Sequence, residues 1–346
     1  MAISRHTFDK PPGQDVKKAI LINTTFQIGH HGCTLVDRQL DRLANECGLH
    51  IIAKLPLDSD WSALTPPQFD VVLVNGEGGL HHDSKAAKLI ARVPQWAKAM
   101  KRPAHLLNSV YEANSAAIAA GVAQYNSIFV RDEFSRQALA AQGISSSVVA
   151  DLALTWEPPA LGGAGREIVV TDSTVRETNE ALHALSRALH ARFLPLMARP
   201  PRPTEPVHHP SRWRRYVGKR FAARFAPPGL WRDRWRGLIP EFDDFVRYLT
   251  NHAGLIVAGR FHAVCLALDL EIPFLAVSSN TRKVEGVLAA AGLQSRLVNN
   301  PAELSTVLLH KPVHAKAFTG PEIEKIRAFR HQVMLNARHM LESIAG

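Results

Sequence analysis

Short continuous apolar runs alternate with stretches of helical spacing along most of the chain. Ala19–Asn23, His50–Ala53, Asp70–Asn75, His105–Asn108, Ser127–Val130 and Ser147–Ala150 read as strands. Between them, Thr34–Gly48, a segment near Ser84–Met100 and Glu133–Gln142 carry apolar residues at helical intervals. Apolar strands separated by helices imply a parallel sheet covered on both faces. A Pro- and Gly-rich stretch, Glu157–Arg166, then breaks the pattern. It restarts with a strand at Glu167–Thr171, a helix at Glu177–Ala191 and a strand at Phe193–Met197. Glu241–Asn251 is a helix with Phe242, Phe245, Val246 and Leu249 on one face. Strands at Leu255–Ala258 and Pro273–Val277, each followed by a helix, come next; then Ala302–Leu309 and a terminal helix from about Pro321 to Ile344.

This pattern predicts two doubly wound α/β domains facing a cleft, with ligand held off the strand C-termini. The expected division is residues 1–157, a linker over 158–166, residues 167–318, and a C-terminal helix over 319–346. A basic aromatic insert, 199–238, interrupts the second domain.

Charge changes the picture in one place. The net charge is +10, yet Arg199–Arg236 alone holds eleven Arg or Lys against two acids. Within it Trp213, Val217, Phe221 and Phe225 recur every fourth residue among Arg212, Arg214, Arg215, Lys219, Arg220 and Arg224, and Trp231 and Trp235 follow. That is the pattern of a helix lying on anionic lipid. Nucleic acid is not expected, because no base-reading fold accompanies the segment. No run approaches the apolar length of a membrane span, and residues 1–18 lack the apolar core of a secretory leader. Three scattered cysteines suit a reducing compartment. A cytoplasmic protein, peripheral on the inner face of the cell membrane, is expected.

Candidate chemistry gathers at predicted strand ends. Gly259-Arg260-Phe261-His262 leaves one strand and opens a helix. Arg260 can grip a carboxylate or phosphate with two prongs, and His262 in the first turn suits a proton acceptor. Ser278-Ser279-Asn280-Thr281-Arg282-Lys283 does the same after the next strand, so the two turns should lie side by side. Asn75-Gly76-Glu77-Gly78-Gly79-Leu80-His81 reads as a Gly-rich loop whose glycines let backbone approach a ligand, with Glu77 a base or hydroxyl binder. Gly29-His30-His31-Gly32-Cys33 sits at the equivalent edge and can line the cleft. No metal set is expected, since adjacent histidines rarely face one ion and no third ligand is near in sequence. Arg131 either reaches the cleft or pairs with Asp132 or Glu133.

Three blocks resemble the polysaccharide pyruvyl transferase family: VRDEFSRQAL…VVADLAL over Val130–Leu154, GRFHAVCLALDLEIPFLAVSSNTRKVEGVL over Gly259–Leu288, and, more loosely, NGEGGLHH over Asn75–His82. The resemblance implies a GT-B-like fold of two Rossmann-like domains. It also implies transfer of the enolpyruvyl unit of phosphoenolpyruvate to hydroxyls of a surface glycan or its lipid-linked precursor. By motif, Arg131, Arg260 and Lys283 would hold the donor's carboxylate and phosphate and His262 would be acid/base; Ser279 and Asn280, from the reading of their turn, join the donor side, and no cofactor is needed. GHHGC and Glu77 depart from the family's usual loops on the acceptor side. The alternative is therefore a GT-B glycosyltransferase using a nucleotide-activated sugar, for example a CMP-linked acidic one. In that case Glu77 or a histidine of GHHGC would be catalytic.

Overall fold

The computed structural model describes residues 16–25, 29–59, 61, 68–159, 161–162, 165–197, 238–299, 303–304, 306, 308 and 316–346. The basic aromatic segment 199–237, and with it Trp213, Arg214, Phe221, Trp231 and Trp235, lies outside the described residues.

The first domain is a six-stranded sheet of β1 (Lys17–Ile22), β2 (Leu49–Leu55), β3 (Val71–His81), β4 (Ala104–Glu112), β5 (Ser127–Val130) and β6 (Ser147–Val148). Its order is β2-β1-β3-β4-β5-β6, and every pairing is parallel. Helices α1 (His31–Glu46), α2 (Lys85–Ile90), α3 (Val93–Ala99), α4 (Ala116–Val122) and α5 (Glu133–Ala140) accompany it. The second sheet contains β7 (Glu167–Val170), β8 (Arg192–Phe193), β9 (Ala253–Ala258), β10 (Phe274–Val277) and β11 (Leu297–Val298) in the order β11-β10-β9-β7-β8, again all parallel. With it go α6 (Arg176–Ala188), α7 (Phe242–His252), α8 (Phe261–Asp269) and α9 (Lys283–Ala290). The chain closes on α10 (Gly320–Ala345). Two Rossmann-like domains are thus present, as the apolar pattern implies.

Strand alternation assigns the core. On β1, Ala19 and Leu21 enter one buried cluster and Ile20 and Ile22 another on the opposite face. On β9, Ile256 and Ala258 join the same cluster as Ala19, while Leu255 and Val257 line the far face of the second sheet. The cluster common to both domains takes Leu35 and Leu40 of α1, Phe261 and Leu266 of α8, and Met340 of α10. One continuous apolar core therefore joins the domains, and its burial resists their separation.

Helix α10 belongs to both. A capping box of Thr319 and Glu322 starts it. Arg327 pairs with Glu271 at 2.7 Å and Arg330 with Asp269 at 2.9 Å, both in the second domain. Further along, Arg338 pairs with Glu46 at 2.6 Å, and Lys17 Nζ donates to the Ile344 carbonyl at 3.3 Å, both in the first.

Three local expectations change. The helix expected near Ser84–Met100 is two, α2 and α3, because Pro94 stands at the start of the second. The strand expected at Phe193–Met197 is only Arg192–Phe193, with Met197 making an isolated antiparallel bridge to His30. The Gly-rich segment is not a free loop: β3 runs through it, pairing Glu77 with Ser109 and Leu80 with Tyr111 across a register shift. A Cβ on Gly76 would lie 2.3 Å from Ser109 Oγ, so this glycine serves the approach of β3 to β4 rather than to a ligand.

Candidate functional site

Each sheet reverses its strand order once. In the first, β2 and β3 lie on opposite sides of β1; in the second, β8 and β9 lie on opposite sides of β7. Connections leaving such neighbouring strands diverge and open a crevice at the strand C-termini. Into these crevices fall Thr25 and Glu77 on one side and Asp172 and Arg260 on the other, with the first turns of α1 and α8 between them.

His30 caps α1, its Nδ1 accepting from the Cys33 N–H at 3.3 Å. The turn is tied to the second domain, because the His31 N–H donates to the Leu196 carbonyl at 3.0 Å. Gly32 faces His262 so closely that a Cβ there would sit 2.1 Å from His262 Cγ and 2.5 Å from Nδ1. Only hydrogen at that position lets the imidazole lie on the helix start. The His30 and His262 rings meet edge to face, centroids 5.3 Å apart. Burial, and then the positive charge of His262, Arg260, His31 and Lys283, holds His30 well below the ordinary imidazole range.

Three cations converge beside them. Arg131, at the end of β5, is buried and pairs with neither Asp132 nor Glu133. Its Nε meets Asp151 Oδ2 at 2.8 Å and donates to Asn108 Oδ1 at 3.1 Å, while its buried Nη2 has no partner. Arg260 Nη2 donates to the fully buried Asp172 carboxylate at 2.6 Å, leaving a buried Nε unpaired. Asp172 is itself held by the Leu196 N–H at 2.9 Å. Lys283 opens α9 and donates to Asn280 Oδ1 at 3.1 Å; Ser279 Oγ donates to the same oxygen. Burial, and then the charges of Arg131 and Arg260, pulls the Lys283 ammonium down to about 8. Buried donors that lack acceptors are costly unless an anion supplies them.

A carboxylate network faces them. Glu77, at a positive φ of 43°, accepts from Thr25 Oγ1, from Asn75 Nδ2 at 3.1 Å and from the Cys33 thiol at 3.4 Å. Asn75 Oδ1 accepts from Asn108 Nδ2 at 3.1 Å, and Asn108 holds Arg131. Asp151 Oδ2 then stands 3.7 Å from His262 Nε2, which is buried and unpaired. Burial alone would raise the Asp151 carboxyl, but the Arg131 charge and His262 outweigh it and hold it at about 2. One chain of contacts thus runs from Glu77 through Asn75, Asn108, Arg131 and Asp151 to His262.

The structure brings His30, Glu77, Arg131, Arg260, His262, Asn280 and Lys283 together, with Gly78 about 3.7 Å from Lys283 Nζ measured from a Cβ built on it. It sends His31 elsewhere: that ring packs on Phe245 at 4.1 Å and donates to the Ile239 carbonyl at 2.9 Å, so it lines the core rather than the cleft. His81 lies at the far end of β3 against His82, and Gly29 is a positive-φ turn before α1. Asp151, Asp172, Asn108 and Thr25 were not singled out in the sequence. Asp151 and Asp172 both follow strand-like runs, the signal that picks out Arg260.

Comparison with known proteins completes the description. The family profile "Polysaccharide pyruvyl transferase" matches residues 21–281. No curated protein matches the sequence. Among solved structures, S. aureus MnaA in complex with UDP is similar at TM-score 0.53 and 12% identity, covering 94% of this chain and 97% of that one. The UDP-GlcNAc 2-epimerase of Methanocaldococcus jannaschii gives TM-score 0.47 at 11% identity, over 92% of this chain and 99% of that one. The glycotransferase of kitacinnamycin gives 0.48 at 12% identity, over 95% and 98%.

Proposed function

The chain belongs to the polysaccharide pyruvyl transferase family and is a polysaccharide-modifying transferase; on that premise we propose that it moves a pyruvyl group from phosphoenolpyruvate to a sugar of a surface polysaccharide or its lipid-linked precursor. The observation that carries the reading is the trio Arg131, Arg260 and Lys283 with unpaired Nη2 and Nε donors beside His262. A donor bearing both a carboxylate and a phosphate needs several cations. Departure of phosphate is eased by the same charges. Ser279 and Asn280 complete the donor side by orienting Lys283.

In this reading an acceptor hydroxyl adds to C2 of the donor while C3 takes a proton delivered by His262. A second hydroxyl then forms the other C2–O bond as the phosphate leaves with its bridging oxygen. Of the two hydroxyl protons, one ends on C3 and one on phosphate. Asp151 orients the imidazole. In this reading Glu77, Asn75, Gly78 and His30 form the acceptor side, with Glu77 accepting from a sugar hydroxyl. Segment 199–238 docks the protein on anionic membrane, a role that unchanged liposome binding after its deletion would exclude. Among the described residues no helix is long and apolar enough to cross a membrane.

The competing donor is a nucleotide sugar, since MnaA is held with UDP. Thermal unfolding separates the two, because ligand bound to the native state raises the midpoint. Phosphoenolpyruvate is expected to raise it and UDP- or CMP-sugars to leave it unchanged. The reverse result would overturn the donor assignment. His262→Ala should abolish transfer while phosphoenolpyruvate still stabilises the protein; retained turnover removes His262 from the chemistry.

A further inference from the structure

Beyond transfer, we propose that the cleft contains a site for one transition-metal ion of the zinc class, with His30, Cys33 and His262 as its protein ligands. The third ligand absent from the neighbouring sequence comes from the other domain. One ligand atom from each of the three lies within 4.8 Å of the other two, and all three residues are buried. Tetrahedral zinc with bonds of about 2.0–2.3 Å sets its ligands roughly 3.3–3.8 Å apart, so a small inward shift of side chains completes the set.

His30 must change partner: its Nδ1 accepts the Cys33 N–H, which puts the proton of the neutral ring on Nε2, so binding the ion requires that cap to be released and the freed nitrogen to turn to the metal. The rest of the surroundings point the same way. Gly32, between the other two ligands, brings His262 Nδ1 against the first turn of α1. His262 Nε2, in a residue only 8% exposed, has no partner and faces Asp151 Oδ2 at 3.7 Å. A carboxylate behind the far nitrogen of a ligating histidine is the usual way to fix that ring. Glu77 Oε2 accepts from the Cys33 thiol at 3.4 Å, so it can take the thiol proton to solvent as the ion binds the thiolate. Arg131, Arg260 and Lys283 would repel a bare dication. The thiolate and the Glu77 carboxylate offset its two charges. Two imidazoles and a thiolate select zinc or cobalt over magnesium and calcium, which require oxygen donors.

Occupancy has a consequence that rests on the proposed acid/base role. An imidazole whose lone pair is on the ion, with its other nitrogen turned to Asp151, transfers no proton. Metal and pyruvyl transfer therefore exclude each other.

Titrating the metal-free full chain with Co²⁺ tests the site. Expected are one equivalent bound, intense visible bands of tetrahedral cobalt and a near-ultraviolet sulfur-to-cobalt band, all displaced by zinc and untouched by magnesium. Cys33→Ser should lose the sulfur band and His30→Ala should weaken binding at least tenfold, with thermal unfolding confirming that each is folded. If either variant fails to fold, X-ray absorption of the zinc-loaded wild type must show one sulfur and two imidazole nitrogens. Absence of the sulfur band in wild type, its persistence in Cys33→Ser, or a different ligand count overturns the site. Transfer unaffected by stoichiometric zinc overturns the exclusion. A protein that binds cobalt as described and transfers pyruvate in neither form keeps the metal site and loses the donor assignment.

Discussion

Replacing Asp151 with asparagine keeps the shape of the side chain and removes one charge. The Asp151 carboxyl sits at about 2 against an ordinary 3.8, and at 1.4 kcal/mol per pH unit this represents about 2 kcal/mol of stability. Removing one partner of a buried ion pair costs about 3–5 kcal/mol because the other charge is left uncompensated. Asn108 still accepts from Arg131 Nε in the variant, so a loss of about 2–3 kcal/mol is expected, or roughly 3–4 °C in Tm for a chain of this length. The pH dependence is the sharper test. A depressed carboxyl stabilises fully above its unfolded value and ceases to do so as pH falls through its folded one. The Tm gap between wild type and Asp151→Asn should therefore be widest at neutral pH and narrow as pH drops from 3.8 toward 2. A gap that is absent at pH 7, or constant through acid, would refute the pairing of Asp151 with Arg131.

Two other substitutions probe the same cleft from opposite sides. Lys283→Met removes an ammonium that is pulled down to about 8 by burial and by Arg131 and Arg260. A lowered basic group opposes folding below its folded value, and the penalty fades as pH rises from about 8 to 10.5. The methionine variant should thus unfold later at pH 7, by about 1–3 kcal/mol in urea titration, and bind phosphoenolpyruvate at least tenfold more weakly; a loss of stability would contradict the buried charge. Gly32→Ala places a methyl 2.1 Å from His262 Cγ, costing about 1–3 kcal/mol of overpacking and displacing the imidazole. Transfer assays should show a fall in kcat well beyond what the midpoint shift explains, and a wild-type rate would refute the close approach.

Strand positions were legible because both faces of each sheet are covered, which leaves apolar runs such as Val71–Val74 and Leu255–Ala258 unbroken. Arg260 and Lys283 were legible for the same reason, as cations in the turns that follow such runs. What the sequence hides is direction. His30 and His31 are adjacent and identical, yet one faces His262 and the other Phe245. Which way each turns is decided by where α1 begins, and that depends on a hydrogen bond to Leu196 in the other domain. Arg131 had acidic neighbours in Asp132 and Glu133, but its partner is Asp151, delivered by the next strand. Gly76 and Gly32 look alike in sequence; one admits Ser109 and the other His262.

Helix α10 also sets the unit in which such enzymes can be recombined. Its last turns are bound to Lys17 and Glu46, so the far end of the chain is structurally part of the first domain. A chimera that swaps the N-terminal half between relatives must carry the closing turns of this helix with it. Exchanged without them, the new half would meet a foreign helix on its apolar face, and the hybrid would fold around a mismatched seam.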